Sequence, residues 1–350
     1  MVQPSANTAA IERRHADYYK ALAEEADRPL RGAGQSEWLE RLETEAGNLA
    51  AAVRWYLAHD QAPLPHLFRV LWSFWFLKDH ISEARGWVGQ LLPAAPSFGP
   101  QARAELEWAA VATANEVGDD TATLAARQRL WPLLEVVGDP FLHAVCQLAV
   151  AWTAPIIGDF DTALKVAAAS LDQLRRQDEP FFTTEAYAAL GGAETAVGRY
   201  DAASRHLSEM RELADRFGYA WLAAWSRALL GTVAVLQGRL DQARELLDDA
   251  LNLSLAIRVS RNVALCLVAF ARLALAEGDP ERAALAAGAA DGLRRRAGLR
   301  AWPVLRRGEN ELADRIRQAL GTDRFDEVFA SGARLSQREA AAAVVPSHRR

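Results

Sequence analysis

The chain has 350 residues, of which 51% are hydrophobic and 24% charged, and its formal net charge is −5. This composition excludes a disordered chain and indicates a packed protein. The acidic balance argues against nucleic acid as a direct partner, because nucleic-acid phosphates favour a basic surface. The first 30 residues contain no apolar core, so we expect no secretory signal and a cytoplasmic location.

The first part of the chain is predicted to contain a disordered start over 1–9 and N-terminal helical hairpins over 10–93. Apolar residues at spacings of three and four predict helices. The first helix is expected to end before Pro29, because proline disfavours a helical conformation in the residue before it. The predicted helix and hairpin ranges are 11–27, 36–59 and 64–93.

A repeat of 40 residues organises the middle of the chain. Its leading glycines are Gly118, Gly158, Gly198, Gly238 and Gly278. Glycine stops a helix, and in four of the five repeats an alanine five residues later marks the place where two helices of a hairpin touch. Each repeat therefore reads as two helices of about 17 residues, close to 25 Å long each. One hairpin cannot bury its own apolar face, so the hairpins must stack on their neighbours.

The repeat resembles the tetratricopeptide repeat. Small residues at Gly191 and Gly231, a glycine seven residues later, and Ala203 and Ala243 carry the resemblance. The usual period is about 34 residues, so the longer period here implies longer helices. The fold class is predicted as all-α: a right-handed α-solenoid of tetratricopeptide-like helix hairpins, with five repeats over 101–297.

The segment 140–158 contains no charged residue, and its length approaches that of a membrane span. It also contains His143, Gln147 and Pro155, and it coincides with the first helix of a repeat. We therefore expect a buried inner helix and no membrane association.

The repeat phase breaks after Gly298. One helix and two shorter ones are predicted to form C-terminal capping helices over 298–344, followed by a tail over 345–350. Ser336 and Glu339 have the spacing of a capping box for the last helix. From Leu335 onward 16 residues remain, too few for a three-helix DNA-reading head.

Two further stretches resemble a family of regulators. The run HADYYKALAEEADRPLRGAGQSEWLERLETEAGNLAAAVRW begins at His15, and the motif F-D-x-x-F-A-x-G-x-x-L-S-x-x-E-A begins at Phe325. They are similar to the opening and the end of the C-terminal superhelical domain in actinobacterial transcriptional regulators of the LuxR and antibiotic-regulatory types. These belong to the MalT-like, signal-transducing NTPase class. The resemblance implies a sensor domain that serves a nucleotide switch.

The motifs of catalysis are missing from the sequence. It has no phosphate-binding G-x-x-x-x-G-K-[ST] loop, no H-E-x-x-H, no C-x-x-C and no G-x-S-x-G. The seven histidines have no histidine partner at metal-pair spacing, and Cys146 and Cys266 read as buried thiols. We therefore predict a protein that is not an enzyme, with no cofactor and no metal site.

The first helix of each hairpin is predicted to line a concave groove. Positions 3, 6, 10 and 13 before each repeat glycine face inward if the helices are regular. The resulting lining is small and apolar, with tryptophans and a few polar groups, and it suits an apolar ligand or a helix. The same tryptophans could instead be core between repeats. The predicted groove residues, together with two aromatic residues of the hairpin at 64–93, are Trp72, Trp75, Glu105, Trp108, Asn115, Leu148, Trp152, Glu185, Thr195, Trp225, Thr232 and Arg272.

The predicted function is a non-catalytic sensor or scaffold of a bacterial transcriptional regulator. The groove would bind a small-molecule or helical-peptide effector and regulate an NTPase module in cis or in trans. The alternative is a free-standing tetratricopeptide adaptor that mediates protein–protein interaction. An active site in the groove would need Glu105, Glu185 and Arg272, which lie on different repeats. The sequence leaves the oligomeric state open.

Overall fold

A computed structural model describes residues 6–344 of the chain. These residues form α-helices, turns and three 3-10 segments, with no strand among them, which confirms the predicted all-α fold. The helices are α1 (Ala6–Leu30), α2 (Gln35–Thr44), α3 (Ala46–His59), α4 (Leu64–Val70), α5 (Trp72–Leu77), α6 (Ile81–Leu91), α7 (Pro100–Glu116), α8 (Asp120–Leu130), α9 (Pro140–Thr153), α10 (Phe160–Arg176), α11 (Pro180–Ala196), α12 (Tyr200–Phe217), α13 (Ala220–Leu236), α14 (Leu240–Ala256), α15 (Ser260–Ala276), α16 (Pro280–Arg296), α17 (Pro303–Leu320), α18 (Thr322–Ala333) and α19 (Gln337–Val344). The 3-10 segments cover Leu92–Ser97, Trp131–Glu135 and Ala154–Ile157.

The repeat glycines end the first helix of each hairpin as predicted. Gly238 has φ 76°, a left-handed conformation that costs a residue without a Cβ little. Its N–H donates to the carbonyl oxygen of Val235 at 3.0 Å, and the next N–H, of Arg239, donates to Ala234 at 2.9 Å. This bond pattern satisfies the last carbonyls of the helix and turns the chain into its partner.

The hairpins close through small residues. Ala203 and Ala243 are fully buried where the two helices meet. A Cβ on Gly231 would lie 2.6 Å from Leu247 Cδ2, and a Cβ on Gly191 would lie 2.6 Å from Leu207 Cγ. The same pair of positions, glycine against leucine, therefore recurs 40 residues later, so the repeat in the sequence is a repeat of packing.

Three N-terminal boundaries differ from the prediction. α1 begins at Ala6, so the described part of the predicted disordered start is helical, since alanines there continue the helix. It also runs through Pro29, which lies in the last turn, where little helix remains to disrupt. The predicted second helix is divided at Glu45, whose carboxylate accepts from Tyr19 Oη at 3.0 Å and Asn48 Nδ2 at 2.7 Å.

The apolar stretch Pro140–Ile157 is the one described segment whose length and hydropathy would suit a membrane span, and 61% of it is buried. It is divided between α9 and a 3-10 turn that contains Pro155. The turn follows because proline cannot donate the helical hydrogen bond. The segment is therefore the inner helix of a repeat, as expected.

The described residues form two compact units. Unit 1 contains the described residues up to Thr153 together with Asp172–Phe182, and unit 2 contains Ala154–Leu171 and the described residues from Thr183 onward. The chain passes from one unit to the other after Thr153, within α10 and within α11. The predicted segments 10–93, 101–297 and 298–344 remain predictions, and the predicted tail over 345–350 lies outside the described residues.

The C-terminal region of unit 2 has the predicted order of one longer helix and two short ones. The predicted capping box is present: Ser336 N donates to Glu339 Oε2 at 2.8 Å, and Glu339 N donates to Ser336 Oγ at 3.3 Å. Val344, at the end of the last helix, is buried.

Candidate functional site

The first helices of three consecutive repeats in unit 2, α11, α13 and α15, form one surface, which we call the α11/α13/α15 wall. Thr195 lies three residues before its repeat glycine, and Thr232 and Arg272 lie six residues before theirs. The structure brings these three side chains to a single cavity. The wall residues around it include Gly192, Thr195, Thr232, Leu265, Val268 and Arg272.

The two wall threonines use their hydroxyls within their own helices. Thr195 Oγ1 donates to the carbonyl oxygen of Gly191 at 2.7 Å, and Thr232 Oγ1 donates to that of Ala228 at 2.9 Å. A hydroxyl satisfied in this way offers the surface little beyond its methyl group. The wall is therefore apolar apart from one cation.

That cation is Arg272 of α15. Burial lowers the pKa of its guanidinium, and Glu309 opposes this shift. Arg272 Nη2 donates to the carbonyl oxygen of Gly308 at 2.9 Å, whereas Nε is buried with no hydrogen-bond partner among residues 6–344. A buried donor without an acceptor is unfavourable, so this nitrogen favours an incoming oxygen ligand.

Helix α17 covers the wall. A Cβ on Gly192 would lie 3.4 Å from Val304 Cγ2, so the glycine lets α17 approach closely. Glu309 of α17 forms a paired contact with Arg294 of α16, at 2.6 and 2.9 Å. A cavity of about 40 Å³ remains between the wall and α17, with Leu305 and Glu309 on the α17 side.

Trp225, a predicted groove residue, meets a tryptophan that the repeat pattern did not indicate. Its ring centroid lies 4.6 Å from that of Trp302, directly before α17, and 5.3 Å from that of Trp221. The guanidinium of Arg261 lies 5.1 Å from the Trp302 ring centroid. Trp225 is 3% exposed, so the chain's own Trp302 covers the position where an aromatic ligand would stack.

Three of the four predicted groove tryptophans in unit 1 are core residues. Trp72, Trp75 and Trp108 are all at most 7% exposed. The Trp72 and Trp108 rings meet edge to face at 5.6 Å, and Trp75 lies 5.7 Å from Trp87. Such contacts stabilise a core, and in this structure none of these rings faces an open groove.

Glu105, also a predicted groove residue, belongs to a buried ionic cluster in unit 1. It accepts from Arg69 Nε at 3.1 Å and contacts His66 Nδ1 at 2.9 Å. Arg69 Nη1 donates to Asp27 at 3.3 Å, and Arg31 pairs with both Asp27 and Glu179. We call these six residues the unit 1 ionic cluster; it also holds the Phe141 ring, which lies 4.5 Å from the Arg31 guanidinium.

The cluster makes stability depend on pH. Burial raises the pKa of Asp27, but Arg69 and Arg31 outweigh burial, and the net pKa is lowered. An acid with a lowered folded-state pKa stabilises the protein above its unfolded pKa of about 3.9, and this contribution is lost as pH falls through the folded value. We expect Asp27→Asn to lower the urea midpoint at pH 7, with a difference from wild type that shrinks below about pH 4. Urea titrations at both pH values measure it, and a difference that grows on acidification contradicts the assignment.

The remaining predicted residues do not add a reactive group. Seven of the twelve lie in unit 1 and five in unit 2. Asn115 and Trp152 are partly buried in unit 1, where Leu148 is 2% exposed, and Glu185 is partly buried in unit 2. The sequence pattern did not indicate the unit 2 residues of α17 or the residue directly before it, Trp302. The apolar face of α17 is regular, but no repeat position shows which surface that face packs against.

Both cysteines are free and buried. Burial raises the pKa of the Cys266 thiol to about 12 and raises that of Cys146 as well, so neither is a thiolate near neutral pH. No group of three or more histidine, cysteine, aspartate or glutamate residues within 6–344 has the arrangement of a metal site. The wall supplies apolar surface and one guanidinium, which suit binding.

No protein-family model matches the chain. It is 26% identical over 247 residues to a Mycobacterium tuberculosis protein named provisionally as HTH-type transcriptional regulator Rv0890c, and to a counterpart from Mycobacterium bovis. The match covers 68% of this chain and 28% of each relative. The chain therefore spans little more than a quarter of the length of the curated relatives it matches.

Solved structures share the fold. A Rap protein complexed with competence and sporulation factor has a TM-score of 0.62 at 12% identity, covering 94% of this chain and 99% of that one. NprR in complex with its cognate peptide NprX has a TM-score of 0.53 at 12% identity, covering 95% and 84%. A signal-transduction ATPase with a tetratricopeptide repeat sensor, PH0952 from Pyrococcus horikoshii, has a TM-score of 0.51 at 15% identity, covering 94% and 52%. These likenesses show a tetratricopeptide-like α-solenoid.

Proposed function

We propose that this chain is the non-catalytic, cytoplasmic sensor of a bacterial transcriptional regulator of the LuxR type and binds a peptide effector on the α11/α13/α15 wall. The observation that carries the proposal is the part-buried Arg272 guanidinium, whose buried Nε lacks an acceptor beside an apolar cavity. A peptide carboxylate would satisfy the guanidinium, while its apolar side chains pack on Leu265 and Val268.

The comparisons support a regulatory role of this kind. The sequence relatives are named as transcriptional regulators. One structure of the same fold is in complex with its cognate peptide and another is complexed with competence and sporulation factor, as their names state. Because the chain spans 28% of each sequence relative, the proposal places the nucleotide switch and the DNA-binding head outside it. Effector binding to the wall would then bias that switch.

The test determines whether Arg272 binds the C-terminal carboxylate of the effector. A thermal-shift screen of short peptides with free C-termini identifies binders, and each binder is then compared with its C-terminal amide. In wild type we expect amidation to weaken binding about tenfold, the worth of one charge-assisted hydrogen bond. In Arg272→Gln amidation should have no effect, because the partner is gone.

The matched control is Arg216→Gln, which removes an exposed arginine of α12 in the same unit. This variant should keep the tenfold effect of amidation. Comparing two ligands within each variant cancels any change in helix packing that the substitution itself causes. An amidation effect that is equal in Arg272→Gln and in wild type contradicts the proposed site.

A second candidate function is a free-standing adaptor that binds a protein helix. The observation that favours it is that the wall already accommodates a helix, α17. An adaptor would bind peptides that become helical on the wall, which circular dichroism of the complex measures. An effector that binds in an extended form favours the sensor instead.

A further inference from the structure

The segments before and after α17 are held together without it. A Cβ on Gly288 would lie 2.0 Å from the Phe329 carbonyl oxygen, and one on Gly332 would lie 2.1 Å from that of Leu285. The backbones of α16 and α18 are thus in direct contact, and only glycine permits this approach. Arg296 adds hydrogen bonds to the carbonyl oxygens of Ala333, the last residue of α18, and of Leu335, so α18 has contacts with α16 that do not involve α17.

α17 itself is attached less completely. Four of its 18 residues are buried: Pro303, Val304, Leu312 and Ile316. Its contact with the wall leaves the 40 Å³ cavity and the unpaired Arg272 Nε. A well-packed interface has neither feature, so α17 fits the wall only in part.

Both ends of α17 can act as hinges. Residues 297–302 before it are not helical, and Gly298 among them has φ 65°. Gly321 after it has φ 79° and ψ 155°, a conformation that essentially only glycine adopts. α17 can therefore rotate away as a rigid helix while α16 and α18 stay packed.

We infer that α17 is an exchangeable resident of the α11/α13/α15 wall, and that an amphipathic helix from a partner replaces it there. The features that such a helix must reproduce are those by which α17 binds. The first is an aromatic side chain just before the helix that stacks on Trp225, as Trp302 does. The second is a small β-branched residue two positions later that faces Gly192, as Val304 does. The third is an acidic residue five positions after that which pairs with Arg294, as Glu309 does. This inference rests on the second candidate function, in which a partner helix binds the wall, and it names what occupies the wall when that helix is absent.

The experiment uses the full chain and a fluorescein-labelled peptide of residues 301–320, followed by anisotropy. Wild type should bind the peptide weakly, because the tethered α17 competes at an effective concentration of about a millimolar. Trp302→Ala in the protein, with the peptide unchanged, loosens the resident and should raise peptide affinity at least about tenfold. The same substitution in the peptide should lower its affinity by a similar factor.

A disulfide between α11 and α17 holds α17 on the wall, which is the opposite of its loosening by Trp302→Ala. Gly192→Cys with Val304→Cys places two thiols within the reach of a disulfide, since a Cβ at Gly192 already lies 3.4 Å from Val304 Cγ2. The native Cys146 and Cys266 are fully buried and do not compete for oxidation. The oxidised protein should not bind the peptide, and reduction should restore binding. Equal binding by the oxidised and reduced forms overturns the inference.

Hydrogen exchange on wild type tests the same point without a substitution. The amides of α17 should exchange at least about tenfold faster than those of α18, because α17 opens alone. Equal protection of the two helices overturns the inference. The peptide has the chain's own sequence, so this experiment does not require an effector. If the carboxylate test fails and the peptide still binds, the proposed function is wrong and the exchange of α17 is supported.

Discussion

Gly292→Ala is expected to destabilise the protein by about 3 kcal/mol, although alanine is the better helix former. A Cβ on Gly292 would lie 2.1 Å from the carbonyl oxygen of Ala333. The obstacle is backbone and cannot turn aside as a side chain would. Either α18 moves off α16 or both helices bend, and each response exposes apolar surface such as Phe325 and Val328, which are now buried.

The matched control is Gly89→Ala, also within a helix, where a Cβ meets no atom within 4 Å. This substitution should stabilise the protein by about 0.5–1 kcal/mol, since it removes backbone freedom from the unfolded chain. Urea unfolding of the two variants and of wild type measures whether each substitution lowers or raises the free energy of unfolding. A Gly292→Ala variant as stable as wild type would show that α16 and α18 are not in the contact described.

The sequence allowed the regular part of this fold to be predicted because one conformational requirement repeats. Gly198, Gly238 and Gly278 all adopt positive φ, so a single residue type fixes where each first helix ends. Counting back from those glycines then placed Thr195, Thr232 and Arg272 on a common surface. Local chemistry and helical periodicity suffice for both steps.

What the sequence did not reveal depends on contacts between distant segments. The amphipathic pattern of α17 shows that one face is buried, but nothing in the pattern says that this face lies on α11, α13 and α15. Gly288, Gly292 and Gly332 did carry a signal, because glycines inside helices are disfavoured unless another backbone comes close. Their pairing partner, however, is a matter of tertiary structure.

The unit 1 ionic cluster shows the same limit. Asp27, Arg69 and Glu105 lie on three helices with no repeat relation between them. Taken alone, Asp27 and Arg69 resemble residues of a solvated helix face, whereas Glu105 was predicted to line the groove. Only the fold brings them together, and it buries Arg69 and Glu105 to 8% and 5% exposure.

Arg69→Met is therefore expected to destabilise the protein by about 3–5 kcal/mol, the usual result of removing one partner of a buried ion pair. Methionine has a similar volume, so little is lost in packing. The cost arises because the buried Glu105 loses its guanidinium partner and keeps only His66, while the part-buried Asp27 keeps only Arg31. Urea unfolding at pH 7 measures the change, and Arg307→Met, at an exposed pair with Glu311, should cost less than about 0.5 kcal/mol.

The double variant Arg69→Met with Glu105→Leu separates charge from packing. With both charges replaced by apolar groups, we expect it to recover at least about 2 kcal/mol of what Arg69→Met loses. The recovery follows because leucine removes Glu105, the buried carboxylate that has lost its guanidinium partner in the single variant. If the double variant is less stable than Arg69→Met, the value of Arg69 lies in its packing against Phe141 and not in its charge.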